Sequence, residues 1–154
     1  MADDHEKYFP KDSSVKFNYL PALRGLFALR DRAPEHAIEL LQAAVPYEFA
    51  VPSIDFNTFF GGLNPIWVRG EAYLAQHKGA EAAAEFQKIL DHKGLLGGDP
   101  VGALSHLQLG RAYALAADSA RAKSAYLDLF ALWKDADPDV PILKQAKAEF
   151  ARLP

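Results

Sequence analysis

The sequence repeats one spacing of small and large residues three times. In each block a glycine is followed twelve residues later by an alanine, and four residues after that by a large side chain. The three sets are Gly25, Ala37 and Leu41; Gly70, Ala82 and Phe86; and Gly110, Ala122 and Tyr126. A block that recurs at this length indicates one supersecondary unit stacked on copies of itself. Because small residues let two helices approach closely, the pattern predicts repeated pairs of antiparallel helices.

Two of the blocks agree more closely than the third. The segments Gly70-Glu-Ala-Tyr73 and Gly110-Arg-Ala-Tyr113 are nearly the same tetrapeptide, whereas the first block has Ala28 in place of the tyrosine. This order of small, aromatic, alanine and aromatic residues resembles the tetratricopeptide repeat. The large residues are then expected to fill the groove between one helix pair and the next. The expected fold is all-α: a tetratricopeptide-like α-solenoid of three antiparallel helix pairs with a C-terminal capping helix.

The repeat spacing and the helix-breaking residues predict where the helix pairs begin and end. The blocks are 45 and 40 residues apart, longer than the repeat length of about 34 in the family, so the excess is assigned to connections at 45–63 and 91–99. Helix pairs are expected at about 18–45, 65–91 and 100–134, with the cap at about 138–153. They form one domain, 14–154, after a flexible segment, 1–13. Asn64, Asp99 and Asp118 are predicted to cap helices.

The predicted capping helix is amphipathic. Its apolar residues recur at three-to-four spacing and are Ile142, Leu143, Ala146, Phe150 and Leu153. Its other face carries the charged residues Lys144, Lys147, Glu149 and Arg152. A helix of this kind closes the core of a repeat array on one side and faces water on the other.

Composition argues against several classes of partner. Lysine and arginine number 17 against 20 aspartates and glutamates, a formal charge of -3, whereas nucleic-acid binders usually carry a basic excess. No apolar run approaches the roughly 20 residues that span a bilayer, and the first residues lack the order of a secretory signal. We expect a soluble chain without nucleic-acid binding or direct membrane insertion. Its compartment is unknown, with the cytoplasm as the default.

The residue types that carry catalytic or metal-binding chemistry do not form a known motif in this sequence. Asp135, Asp137 and Asp139 imitate the start of a calcium loop, but Val140 and Ala146 stand where that loop needs glycine and glutamate. There is no cysteine, and none of the five histidines has a second histidine three or four residues away. No Gly-x-Ser-x-Gly turn is present. We therefore expect no catalytic residue, no metal site and no cofactor, and the chain is predicted not to be an enzyme.

An aromatic insert lies between the first two helix pairs, at 46–67. The residues that would form a contact patch there are Tyr47, Phe49, Phe56, Phe59 and Phe60. A segment this apolar either packs back onto the repeat core or offers a contact surface, since aromatic residues dominate the energetics of many interfaces. Both interpretations remain open, as does a small-molecule pocket beside the insert.

The second half of the chain resembles a more specific family. Three runs carry the likeness, from Ala80 to His92, from Gly102 to Tyr113 and from Leu132 to Lys147. They are similar to the C-terminal repeat regions of bacterial, especially acidobacterial, eukaryote-like serine/threonine protein kinases. The kinase motifs themselves are absent from this sequence. The resemblance therefore implies a sensor or docking module, either a part of such a kinase or a relative of one, without phosphoryl transfer of its own.

The resemblance to tetratricopeptide repeats also implies where a partner binds. In such families the first helix of each pair lines a concave surface that takes an extended or helical peptide. The positions carried over to that surface are Asn64, Trp67, Glu71, Gln108 and Arg111. Some members of the family bind a C-terminal carboxylate with a basic clamp. This sequence lacks that clamp, because Ala22 and Leu26 stand at its positions.

These observations predict a non-catalytic protein-interaction or scaffold module for signalling, with a protein or peptide as partner. Two alternatives stay open at this point. One is a structural domain that pairs with itself, since a monomer and a weak homodimer are both compatible with the sequence. The other is a small-molecule sensor that uses the aromatic insert.

Overall fold

A computed structural model describes residues 7–50, 62–96 and 98–154 of the chain, and helices are the only regular secondary structure within those ranges. The α-helices are α1 (Leu20–Arg30), α2 (Pro34–Leu41), α3 (Asn64–Ala75), α4 (Gly79–Asp91), α5 (Val101–Leu115), α6 (Ser119–Leu132) and α7 (Pro141–Phe150). A π-helical turn, Val15–Tyr19, leads into α1, and short 3₁₀ turns cover Gln42–Tyr47 and Lys93–Leu95. The predicted all-α class is confirmed. None of the helices in the described ranges is long and apolar enough to cross a membrane.

Prolines and acidic residues fix several helix starts as predicted. α1, α2, α3 and α7 each have proline in the first turn, where its missing N–H costs nothing. The Asp118 carboxylate accepts a hydrogen bond from the Arg121 N–H at 3.0 Å, and Asp99 accepts one from Val101 N–H at 3.0 Å. The predicted capping role of Asn64 is wrong. The helix begins one residue earlier than expected, because the carbonyl of Leu63 already accepts the first helical hydrogen bond, so Asn64 lies inside it.

The first helix of each predicted pair ends in the same backbone conformation. Arg32, His77 and Ala117 have φ angles of 59°, 57° and 59°, in the left-handed region. The next residue then donates its N–H to a carbonyl five residues back, in the bonds Ala33 to Ala28, Lys78 to Tyr73 and Asp118 to Tyr113. This is the Schellman ending of a helix, which usually has glycine at the left-handed position. The repeat found in the sequence is thus also present in the backbone.

Helices that are neighbours in the chain pack against one another from α1 to α7, and α3 also packs against both α1 and α5. The three repeat alanines, at 37, 82 and 122, are fully buried. A Cβ atom built on Gly70 would lie 2.6 Å from Phe86 Cζ, and one on Gly110 would lie 2.8 Å from Tyr126 Cδ2. Each large ring therefore lies directly on the glycine of the preceding helix.

The apolar stripe of α7 packs against the helices before it. Leu143 and Ala146 are buried. Ala146 forms a cluster with Leu107, Tyr126 and Leu129, against which the ends of the stripe pack. One residue of the opposite face departs from the expectation. Glu149 does not simply face water, because its carboxylate pairs with a side chain of α5.

Candidate functional site

Helix α3 places three of the predicted concave residues on one face. Asn64, Trp67 and Glu71 are spaced i, i+3 and i+7, and residues at these intervals lie above one another on a helix. Since α3 packs against both α1 and α5, this face continues onto those helices. We call this surface the α1–α3–α5 face. It consists of the exposed parts of α1, of Asn64, Trp67 and Glu71 on α3, and of Gln108 and Arg111 on α5.

An apolar cleft lies at one end of this face. It is lined by Val15, Tyr19, Leu20, Ala22, Leu23, Leu26 and Asn64. Its volume is about 250 Å³, and Leu26 at its edge is 46% exposed. Part of the wall comes from the π-helical turn, in which the Leu20 N–H donates to the Val15 carbonyl. Such turns are rare and occur frequently at functional sites. We call this feature the α1 cleft.

A chain of hydrogen bonds crosses the same face from α3 to α7. Gln108 Nε2 donates to Glu71 Oε1 at 2.5 Å, and Arg111 Nη1 donates to Gln108 Oε1 at 3.1 Å. Arg111 then donates from Nε and Nη2 to the two oxygens of Glu149 at 2.9 and 2.8 Å. These four side chains are called the polar ladder. The ladder connects three helices that are far apart in the sequence.

The Arg111–Glu149 end of the ladder is a matched ion pair. Tyr126 adds a third hydrogen bond, from its hydroxyl to Glu149 Oε2 at 2.9 Å. Desolvation acts to raise the pKa of Glu149, but the hydrogen bonds from Arg111 and Tyr126 outweigh it and hold that pKa below its usual value. Burial raises the pKa of Tyr126, and its hydrogen bond to Glu149 adds to the rise. At neutral pH the pair is therefore fully charged and the phenol is neutral.

The Glu71 end of the ladder is electrostatically different. Burial raises the pKa of this carboxyl to about 7, although the charge of Arg111 and the hydrogen bond from Gln108 both act to lower it. Arg111 does not fully offset the effect of burial on this pKa, because its guanidinium directs its hydrogen bonds to Glu149 and Gln108. Glu71 is thus a desolvated carboxyl whose charge Arg111 balances only in part.

Trp67 lies between the α1 cleft and the polar ladder along α3. Its ring meets the buried ring of Phe86 edge to face, with the centroids 5.3 Å apart and an interplanar angle of 67°. The side chain is partly buried and packs against the core clusters. Trp67 therefore forms the floor of the face and is not a projecting anchor.

Four of the five predicted concave residues lie in the α1 cleft or the polar ladder, and Trp67 lies between these two features. Asn64 joins the α1 cleft, and Glu71, Gln108 and Arg111 join the polar ladder. The sequence does not reveal Glu149 as a site residue, because its partner Arg111 lies 38 positions earlier in the chain. The position of Glu149 next to Phe150, at the border of the apolar stripe of α7, is the sequence signal that points to partial burial.

Two residues of the predicted aromatic patch are described. Tyr47 stacks on Phe17 with ring centroids 4.2 Å apart, and Phe49 stacks on His92 at 3.9 Å. Both rings remain 41% exposed. The other three members, Phe56, Phe59 and Phe60, lie outside the described residues. The contact patch as a whole stays a prediction.

A second charged cluster lies inside the protein, behind α3. Arg69 Nη2 is 2.5 Å from both Glu48 Oε1 and Glu85 Oε2, and Lys88 Nζ is 2.8 Å from Glu85 Oε1. Arg69, Glu48 and Glu85 are buried. Because Arg69 and Glu71 are two residues apart, they point to different sides of α3. This cluster ties the segment after α2 to α3 and α4, and its role is structural.

The polar groups of the ladder hydrogen bond to one another. In the described ranges no group of three or more histidine, cysteine, aspartate or glutamate residues is placed to hold a metal ion. Comparison of the chain with protein-family models, with curated proteins and with solved structures finds no match.

Proposed function

We propose that this chain is a tetratricopeptide-type domain of three helix pairs and a capping helix, and that it binds a peptide segment of a partner protein. Two repeated features support this architecture. The repeat glycines at 70 and 110 each receive a buried ring from the following helix, and the first helix of every proposed pair has the same left-handed ending. Such an array presents its first helices as a continuous binding surface.

The observation that carries the proposal is the position of the α1 cleft and the polar ladder on one face of α3. Asn64 lines the cleft, and Glu71, seven residues later, begins the ladder. This spacing corresponds to about 10 Å along the helix. An apolar pocket beside directed polar groups suits a peptide, since an anchoring side chain supplies affinity and hydrogen bonds fix the orientation.

The size of the α1 cleft favours a peptide side chain over a metabolite. Its volume of about 250 Å³ lies below the range of roughly 300–1,000 Å³ that is typical of small-molecule sites. The clamp positions Ala22 and Leu26 both line the cleft. The first anchor of the partner is accordingly an apolar side chain and not a terminal carboxylate.

The biological setting follows from the resemblance to bacterial serine/threonine kinase repeat regions. On that basis the domain is the docking or sensor part of such a kinase, or a relative that acts as a scaffold. It recognises a partner and performs no chemistry itself. The ladder leaves the charge of Glu71 only partly balanced, which supports a role in recognition.

A random-peptide display selection on the intact protein tests this function. Peptides recovered from the selection are then measured against Leu26→Asp, which places a charge at the edge of the α1 cleft. Leu127→Asp on α6 is the matched control, because Leu127 is 54% exposed and Leu26 is 46% exposed. We expect binding to weaken at least about tenfold in Leu26→Asp and to be unchanged in Leu127→Asp.

The opposite pattern contradicts the proposed site. If Leu127→Asp abolishes binding while Leu26→Asp does not, the partner binds the surface of α6 that carries Leu127.

A size measurement at several protein concentrations separates peptide binding from self-association. A concentration-dependent dimer that dissociates in Leu26→Asp would assign this face to a second copy of the chain instead.

A further inference from the structure

The polar ladder carries one more carboxylate than it has cations. Glu71 and Glu149 share the single guanidinium of Arg111, and both oxygens of Glu149 are bonded to it. The hydrogen bond that Glu71 receives comes from the neutral amide of Gln108. The face therefore offers a partly buried carboxylate that no side chain of the ladder fully neutralises.

The surroundings of Glu71 define what a ligand meets there. Arg111 on α5 is the charged group that acts on it, and Gln108 is its hydrogen-bond donor. Further along the ladder α7 contributes the ionised Glu149, and α6 contributes the neutral phenol of Tyr126. Toward α1, the wall of the cleft is apolar. A second anion beside Glu71 would face two carboxylates, whereas a cation would restore the balance of charge.

We propose that the partner segment carries a basic side chain that pairs with Glu71, about 10 Å from an apolar side chain that occupies the α1 cleft. This inference rests on the proposed peptide-binding function and specifies the chemistry of the peptide. The distance corresponds to residues i and i+7 of a helix, which lie on one side about 10 Å apart. It also corresponds to residues i and i+3 of a polyproline II segment, about 9 Å apart.

The pairing makes binding depend on pH in a defined direction. The pKa of about 7 for Glu71 means that roughly a tenth of these carboxyls are ionised at pH 6 and roughly nine tenths at pH 8. Arg111 stays charged, Glu149 stays ionised and Tyr126 stays protonated over this interval. A peptide that requires ionised Glu71 therefore binds about tenfold more tightly at pH 8 than at pH 6.

Calorimetric titration of the whole chain with defined peptides tests the proposal. One set is an alanine- and glutamine-rich helix with leucine and lysine seven residues apart, and a second set is proline-rich with the two residues three apart. Each set includes versions with glutamine or glutamate in place of lysine, and all peptides are acetylated, amidated and free of histidine. We expect the lysine peptide of one set to bind at least about tenfold more tightly than its glutamine version, and the glutamate version to bind most weakly.

Protein variants show whether Glu71 is responsible for that preference. In Glu71→Gln the lysine and glutamine peptides should bind equally, and the pH dependence should disappear. Glu81→Gln is the control for net charge, because Glu81 is an exposed residue in the first turn of α4, and it should retain the preference. Equal binding of all three peptide versions to the wild type would overturn the basic-partner inference and leave the peptide-binding function intact. No binding of either set up to about 1 mM would contradict both.

Discussion

Substitution of Gly70 by alanine tests the close approach of α3 and α4. The added Cβ would lie 2.6 Å from Phe86 Cζ and 2.7 Å from Cε1, well inside van der Waals contact. The Phe86 ring is fully buried and has the edge of Trp67 against it, so it has little room to move away. Either the ring leaves its rotamer or the two helices separate.

The expected magnitude follows from two opposing terms. Overpacking a core contact costs roughly 1–3 kcal/mol, and alanine in place of glycine inside a helix contributes about 1 kcal/mol of stabilisation. We therefore expect Gly70→Ala to lower the free energy of unfolding by up to about 2 kcal/mol. Gly94→Ala is the control, because a Cβ at Gly94 meets nothing within 4 Å, and it should change stability by less than about 0.5 kcal/mol.

The first helix pair suggests how the clash can be relieved. There Leu41 takes the place of the ring. A Cβ on Gly25 would lie 3.4 Å from Leu41 Cδ1, which is ordinary contact, and its closest neighbour would instead be Val68 Cγ1 at 3.0 Å. Phe86→Leu alone should destabilise the protein by leaving a cavity. Combined with Gly70→Ala, it should recover about 1 kcal/mol relative to the sum of the two single changes. Urea denaturation of the four proteins gives this coupling energy as a double-mutant cycle.

Strict additivity would refute the reasoning. If the double variant equals the sum of the single variants within about 0.3 kcal/mol, Phe86 does not lie on Gly70. The assigned packing of α3 against α4 would then be wrong, and with it one of the two features that support the proposed helix-pair architecture.

Three further predictions concern charge and backbone. Arg69→Met should lower the free energy of unfolding, measured by urea denaturation, by about 3 kcal/mol or more, because it leaves two buried glutamates without their shared cation. A decrease below about 1 kcal/mol would show that the cluster is solvated. Ala117→Gly should raise the free energy of unfolding by about 1 kcal/mol by relieving a left-handed φ of 59°, whereas Ala116→Gly, at φ -80°, should lower it. The pKa of Glu71 is raised in the folded state to about 7 from 4.5, so folding binds a proton and stability is lost as pH rises from about 5 to 8. Because the carboxyl is partly solvated, we expect the free energy of unfolding to fall by about 1–2 kcal/mol over this interval. Glu71→Gln should abolish this pH dependence. An unchanged pH dependence of stability in that variant would show that Glu71 is not its cause.

The periodic features of this protein were predictable from its sequence. The spacing of Gly70, Ala82 and Phe86 reports a contact within one repeat, and such local contacts recur at fixed intervals along the chain. The stripe of α7 is visible for the same reason, since its buried members follow the helical period. The Asp118 cap was likewise predictable, because it depends on a residue three positions away.

The features that depend on long-range pairing or on strained backbone were not predictable. Glu149 reaches Arg111 only because α7 packs beside the last repeat, and no local pattern encodes that distance. Arg69 likewise finds Glu85 on the neighbouring helix. The left-handed endings at His77 and Ala117 carry no glycine, so the usual signal for such an ending is absent.

Fluorine NMR of the protein labelled with 5-fluorotryptophan tests the central claim most directly. The chain contains two tryptophans. Trp67 lies on the α1–α3–α5 face, and Trp133 packs against the cluster at the α7 end. When the tightest peptide from the display selection is added, the Trp67 resonance should shift or broaden in proportion to the bound fraction, while the Trp133 resonance stays in place. A shift of Trp133 with Trp67 unchanged would place the partner away from this face and contradict the account.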